Sequence, residues 1–195
     1  MSLNVWGMPS GLFGGLDKRV RIQAIGSMIM NRKFHVYLIQ ELWLRQDHET
    51  LRSKAHRAGY YMTTFDQLND GCRGIMKPKG CSGLAVISWY PIEHVYHEVF
   101  FQQGWGEEFY TKGWAKIRIR PVKNMVVDLL DTHLCGVSFR PGRSNKKIHL
   151  GQAKQILKDV HKSHADFYIV GGDFNTYILS KSVGSYDKII KVVSK

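Results

Sequence analysis

Cysteine is scarce in this chain: three residues, Cys72, Cys81 and Cys135, in 195. An odd count excludes a complete set of internal disulfides. Cys72 and Cys81 flank a Gly/Lys/Pro-rich segment and can close a loop disulfide in an oxidising compartment, whereas Cys135, beside Leu134, reads as a buried thiol. No apolar run approaches the roughly 18 residues that cross a bilayer as a helix. The first residues lack the basic-then-apolar pattern of a signal peptide. Strand-like sequence begins within three residues of Met1, which leaves room for a preceding segment. Repeats, linkers and low-complexity tracts are absent. Acidic residues are also few, 16 against 28 Lys and Arg.

What is present describes a folded, basic protein. The formal charge is +12 and the isoelectric point about 9.7. That balance suits a polyanionic partner: nucleic acid, an anionic phospholipid membrane surface or a phosphate-rich substrate. It suits a generally basic surface equally well, because the cations are scattered and only short clusters such as Lys146-Lys147 occur. A hydrophobic fraction of 44%, with nine Phe, nine Tyr and five Trp, is enough for one sizeable core. A single domain over residues 1–195 is the expectation.

Leu3–Trp6 reads as a short strand. Asp17 is placed to cap a helix carrying Val20, Ala24, Ile25, Met28 and Ile29 near one face. Phe34–Leu42 is nearly continuous in apolar residues, as a strand covered on both faces would be. Residues 46–58 suit a helix and Tyr60–Phe65 a strand, before a loop over 69–82. Strands are expected at 83–89, 93–101, 114–120 and 125–132. A helix starting near Ser144 bears Leu150, Ala153, Leu157 and Val160, and a buried strand at 167–170 follows. Helices and strands alternate early and late around a block of strands, which predicts an α/β fold with two packed sheets and helices outside.

Polar residues end four of these strands: Asn4, Glu41, the pair Asp131 and His133, and the pair Asp173 and Asn175. Ligands gather at strand ends in open α/β folds, so these residues are candidates for one site. A carboxylate and an amide suit a hard divalent cation such as Mg²⁺. A second carboxylate can orient or deprotonate water, and a histidine can donate to a phosphoryl oxygen. Each residue alone has a plainer reading. Asn4 satisfies a turn, Glu41 pairs with a neighbouring cation, Asp131 orients His133 or caps a loop, and GGDFN forms a glycine turn.

Together, "LNVWGMP", "IQELW", "CSGLAVISWYPI", "DTHL" and "VGGDFN" resemble the endonuclease/exonuclease/phosphatase superfamily with the DNase I-like fold. Within it they look most like the neutral sphingomyelinases. The resemblance implies a four-layer α/β sandwich and Mg²⁺-dependent phosphodiester cleavage. It implies Glu41 as principal metal ligand with Asn4 beside the metal, and His133 on the scissile phosphate. Asp173 would activate water, Asn175 would steady the phosphate, and Lys112 would be a further phosphate contact.

Relatives of this kind continue past the Gly-Asp-x-Asn box to a Ser-Asp-His segment, which does not follow Asn175 here. The resemblance therefore implies a shortened, incomplete sandwich with weak or no turnover, since a missing acid–base group costs about 10²–10⁴-fold. The first expectation is sphingomyelin hydrolysis to ceramide and phosphocholine by a secreted or peripheral membrane protein. In that case the aromatic stretch 100–114 either rests on a membrane or supplies core and turn residues. The rivals are a DNase I-type endonuclease and a non-catalytic basic protein that binds anionic lipid or nucleic acid.

Overall fold

The computed structural model of the chain describes residues 1–8, 17–69, 82–104, 111–136 and 146–176. In chain order the elements are β1 (Ser2–Asn4), α1 (Lys18–Met30), β2 (Val36–Gln40), α2 (Arg45–Arg57), β3 (Tyr61–Met62) and α3 (Phe65–Asn69). There follow β4 (Ala85–Ser88), β5 (Ile92–Val99), β6 (Gly113–Val122), β7 (Met125–His133), α4 (Lys146–Val160) and β8 (Phe167–Asp173). They form two mixed sheets, ordered β1-β2-β4-β3 and β5-β6-β7-β8. The β1/β2 and β7/β8 pairs are parallel and the others antiparallel.

Alternation along β2 shows how the layers arise. Tyr37 and Ile39 face Ile22 and Ile29 of α1 and Leu51 and Ala55 of α2. Leu38 points the other way, into a core with Val86, Ile117, Val127 and Leu129 between the sheets. The outer face of the second sheet, with Trp114 and Leu130, is covered by Ala153 and Ile156 of α4. The result is helix, sheet, sheet, helix: the four-layer α/β sandwich. A strand buried on both faces needs apolar residues at both parities, which is why β2 shows no alternation of polarity. Each of these large side chains contributes about 1.5–3 kcal/mol by leaving water.

Several local expectations change. Asp17 stands at the start of α1 but has φ 60° and makes no side-chain cap hydrogen bond. Ile22, Gly26 and Ile29 face inward, while Val20 is 66% exposed. The inward stripe is thus rotated from the one read in sequence, because α1 packs against α2 through Gly26, over which the Lys54 side chain runs. Phe65 begins a short helix instead of ending a strand. In β8, Phe167 and Ile169 are more than half exposed, since the strand lies at a sheet edge and lacks cover on that face. Phe100 and Trp114 are buried but Phe101 is 84% exposed, so the aromatic stretch splits between core and surface. Cys135 is buried, as expected. Cys72, Cys81 and Ser144 lie outside the described residues. No helix among the described residues is long and apolar enough to cross a membrane.

Candidate active site

Parallel pairing aligns strand ends. In the first sheet Asn4 is in register with Gln40, so Glu41 emerges just beyond Asn4. In the second, His133 is in register with Asp173. The two sheets pack so that these four residues meet. The Asn4 amide nitrogen donates to Glu41 Oε1 and to Asp173 Oδ2, each at 2.9 Å. His133 Nε2 lies 3.8 Å from Glu41 Oε1 and 3.5 Å from Asp173 Oδ2. Lys112, at the threshold of β6, brings its ammonium 2.6 Å from His133 Nε2 and 3.0 Å from Nδ1.

The backbone is held in costly conformations here. Trp6, Glu41 and Asn175 have φ of 47°, 61° and 47°. The left-handed region costs a non-glycine residue about 1–2 kcal/mol and persists where surrounding bonds enforce it. Glu41 is enforced by Gly7 N–H donating to its carbonyl at 3.0 Å and by Leu42 N–H donating to Gly83 O at 2.8 Å. Asn175 is enforced by its own N–H on Asp173 Oδ1, at 3.0 Å, and by its amide nitrogen on Leu134 O, at 2.8 Å. The glycines of GGDFN serve the strand itself, not a turn. Gly172 sits in β8 at φ 142°, and a Cβ there would collide with the Thr132 backbone.

Electrostatics separate the cluster into wet carboxylates and a dry imidazole. Glu41 and Asp173 keep 18% and 27% of their side-chain surface exposed, whereas His133 keeps 1%. Burial, reinforced by the Lys112 charge, holds the His133 pKa well below the usual histidine range. The ring is therefore neutral at neutral pH. Asp131, two residues earlier on the same inward face of β7, does not orient His133. It accepts a 2.6 Å hydrogen bond from Gln40 Nε2, linking the two sheets beneath the site. Burial raises its pKa well above the usual carboxylate range, against the hydrogen bond from Gln40.

Two of the expected site residues already hold hydrogen bonds in this arrangement. Trp6 N–H donates to Asn4 Oδ1 at 2.9 Å, which assigns the amide oxygen away from Glu41. Asn4 thus presents nitrogen to the carboxylates, and its position suits a bridge between them better than an oxygen donor to a cation. Asn175 gives one of its two amide N–H groups to Leu134 O, which leaves the other for a phosphate. Glu41 pairs with no neighbouring cation among the described contacts and meets Asn4 instead. Sequence reading missed Gln103, whose amide bonds both backbone groups of Lys112 (3.2 Å from N and 2.9 Å from O) and so fixes that residue. A surface-type glutamine in a loop carries no signal of such a task.

Among the described residues no group of three or more His, Cys, Asp and Glu is arranged to chelate a metal. The donor set does suit a hydrated hard cation. Two carboxylates from different sheets converge, remain partly wet, and share one neutral amide between them. Mg²⁺ needs no more than one or two protein carboxylates, because it keeps most of its waters.

A two-sheet sandwich with acidic, imidazole and amide groups at its strand ends defines the DNase I-like class of hydrolytic fold, and known proteins of that class match. A magnesium-bound variant of Staphylococcus aureus beta toxin superposes with a TM-score of 0.79 at 23% identity, covering 98% of this chain and 68% of that one. Human sphingomyelin phosphodiesterase 2 is 23% identical over 183 residues, 90% of this chain and 40% of the relative. A putative neutral sphingomyelinase of Drosophila melanogaster is 28% identical over 183 residues, 90% of this chain and 38% of the relative. No family profile matches. The chain therefore spans about 40% of the length of the curated relatives it matches. Fold and sequence together relate it to the endonuclease/exonuclease/phosphatase superfamily of phosphodiesterases and phosphatases.

Proposed function

We propose that this chain carries a metal-dependent phosphodiesterase site that acts on sphingomyelin or a close phosphosphingolipid, releasing ceramide and phosphocholine. The observation that carries the reading is the junction of Asn4, Glu41, His133 and Asp173 at four strand ends from two sheets. The sequence relatives named sphingomyelinases and the magnesium-bound structural neighbour support the substrate class and the cation.

Glu41 would hold Mg²⁺, with water filling most of its shell. When bound, the ion would supply positive charge for the phosphoryl oxygens. Asn4 keeps Glu41 and Asp173 at a fixed spacing and shields their mutual repulsion. Asp173 accepts a proton from the attacking water, its Oδ1 steadied by Asn175 N–H. Neutral His133 donates a hydrogen bond to a phosphoryl oxygen, which suits a group that must not repel Lys112. Lys112 offers its ammonium to the same phosphate. Asn175 serves as a brace for Asp173 and the Leu134 backbone. Among the described residues this cluster holds one histidine, and low turnover by the 195-residue chain belongs to the proposal.

The test is hydrolysis of headgroup-labelled sphingomyelin at high protein concentration, with Mg²⁺ and then with EDTA. The expected result is slow, EDTA-sensitive release of phosphocholine that Glu41→Ala and Asp173→Ala each reduce by about 10²-fold or more. Plasmid nicking without lipid hydrolysis would turn the assignment to a nuclease, which the +12 charge favours. Tight binding to anionic lipid or DNA with no turnover, unchanged by Asp173→Ala, would leave a non-catalytic binding protein.

A further inference from the structure

Three separate chain segments place exposed apolar side chains at the end of the molecule where the site lies. β1 and β2 run parallel, as do β7 and β8, and their C-terminal ends deliver Asn4, Glu41, His133 and Asp173. β5 runs antiparallel to β6, which runs antiparallel to β7, so β5 also ends on this side. Phe101 follows it, 84% exposed, while Phe100 N–H bonds the Lys112 carbonyl. Trp6, 50% exposed, follows β1 with its N–H on Asn4. Val20, 66% exposed, lies in the first turn of α1, next to Arg21, whose guanidinium donates to Trp6 O at 2.9 Å and stands 5.4 Å over the indole.

On the α1 flank cations outnumber the acids Asp17 and Asp47. α1 has no acidic residue and opens with Lys18, Arg19 and Arg21. Lys18 is neutralised by Asp47, at 2.9 Å, whereas Arg21 keeps its charge beside the Trp6 carbonyl and Arg19 is exposed next to Val20. Cations in a first turn oppose the helix dipole, so helix stability does not account for them. Indole and phenyl rings with nearby Arg are what the headgroup layer of a bilayer accepts: the rings enter the acyl boundary and the cations meet lipid phosphate. Other exposed apolar residues, Val122 and Phe167, sit at the far end of the strands and do not join this rim.

We infer that Trp6, Val20 and Phe101, with Arg19 and Arg21, form a docking rim that seats an anionic phospholipid bilayer around the site. The orientation presents the cleft to the membrane, and it rests on the phosphodiesterase reading only for its purpose. The contact itself is measurable without catalysis. Vesicles of phosphatidylcholine with about one third phosphatidylserine, and no sphingomyelin, serve as probe in co-sedimentation.

The parent chain is expected to bind them in low salt. Val20→Ser combined with Phe101→Ser should lower the partition coefficient about tenfold or more. Arg19→Glu should lower it several-fold in a way that high salt erases. A vesicle-induced blue shift of tryptophan emission should vanish in Trp6→Phe. That measurement decides the matter even if the double variant folds poorly. Binding unchanged in these variants, or a parent that sediments with single-stranded DNA but not with vesicles, would overturn the rim. Vesicle binding without sphingomyelin hydrolysis would sink the enzymatic reading and leave the rim standing. Hydrolysis of a soluble phosphodiester with no vesicle binding would do the reverse.

Discussion

Asp128 and Asp131 stand three residues apart on β7, both with 0% of their surface exposed, yet their surroundings move their pKa values in opposite directions. Asp131 faces between the sheets, where the neutral Gln40 amide donates to it, and burial drives its pKa well up. Asp128 faces the helix side. Burial pushes it up too, but Arg118 donates to both its oxygens, at 2.8 and 2.9 Å, and Ser163 adds a third bond. These bonds outweigh desolvation and hold the carboxylate below its usual range. Burial alone does not set the charge of a buried acid; the charge of its partner does.

That contrast can be broken at either end. The largest effect is expected from Asp128→Ala, which strands Arg118 and should cost about 3 kcal/mol in urea unfolding. Asp131→Ala leaves one of the two Gln40 N–H groups buried without an acceptor, the other staying on Ser2 Oγ, and should cost about 2 kcal/mol in the same assay. Arg118→Lys keeps the charge but loses the two-pronged bond, for a loss of about 1 kcal/mol. Asp131→Asn should change stability by under about 1 kcal/mol, because an amide reproduces the neutral acid that burial favours.

The pH dependence sharpens the same point. For Asp131, a raised folded pKa means that its contribution is complete below the unfolded value near 4 and is lost as pH rises above it. For Asp128 the sign reverses: its contribution is present above about 4 and is lost as pH falls. Unfolding free energies of Asp131→Asn measured from pH 4 to 7 should therefore fall less with rising pH than those of the parent. A parallel pair of curves would mean that Asp131 is ionised.

The residues at strand ends were legible because apolar runs that stop at Asn, Glu, His or Asp are poorly explained by packing. Their convergence rests on the parallel register of β1 with β2 and of β7 with β8, which no run of residues reveals. The role of each polar atom was not legible. Whether Asn4 turns oxygen or nitrogen to Glu41 depends on the Trp6 N–H, and that depends on a left-handed Trp6 no pattern announces. The inter-sheet bond of Gln40 joins residues 91 positions apart, and nothing local marks it. Likewise, the exposure of Phe167 and Ile169 is set by an edge position, whereas periodicity reports only that the residues are apolar. The α1 face was misread because the helix packs on α2 through Gly26, a residue with no side chain for an apolar pattern to count.

The bond from Asn4 to Asp173 spans 169 positions of sequence. During synthesis, then, β1 and β2 can pair while the ribosome is still adding β5, but the acid that Asn4 must hold does not yet exist. Closing the site brings together residues from the first and the eighth strand. Contacts of such separation form late and slowly. Until β8 has emerged and paired with β7, a newly made chain has a core to protect but no partner for Asn4 across the two sheets.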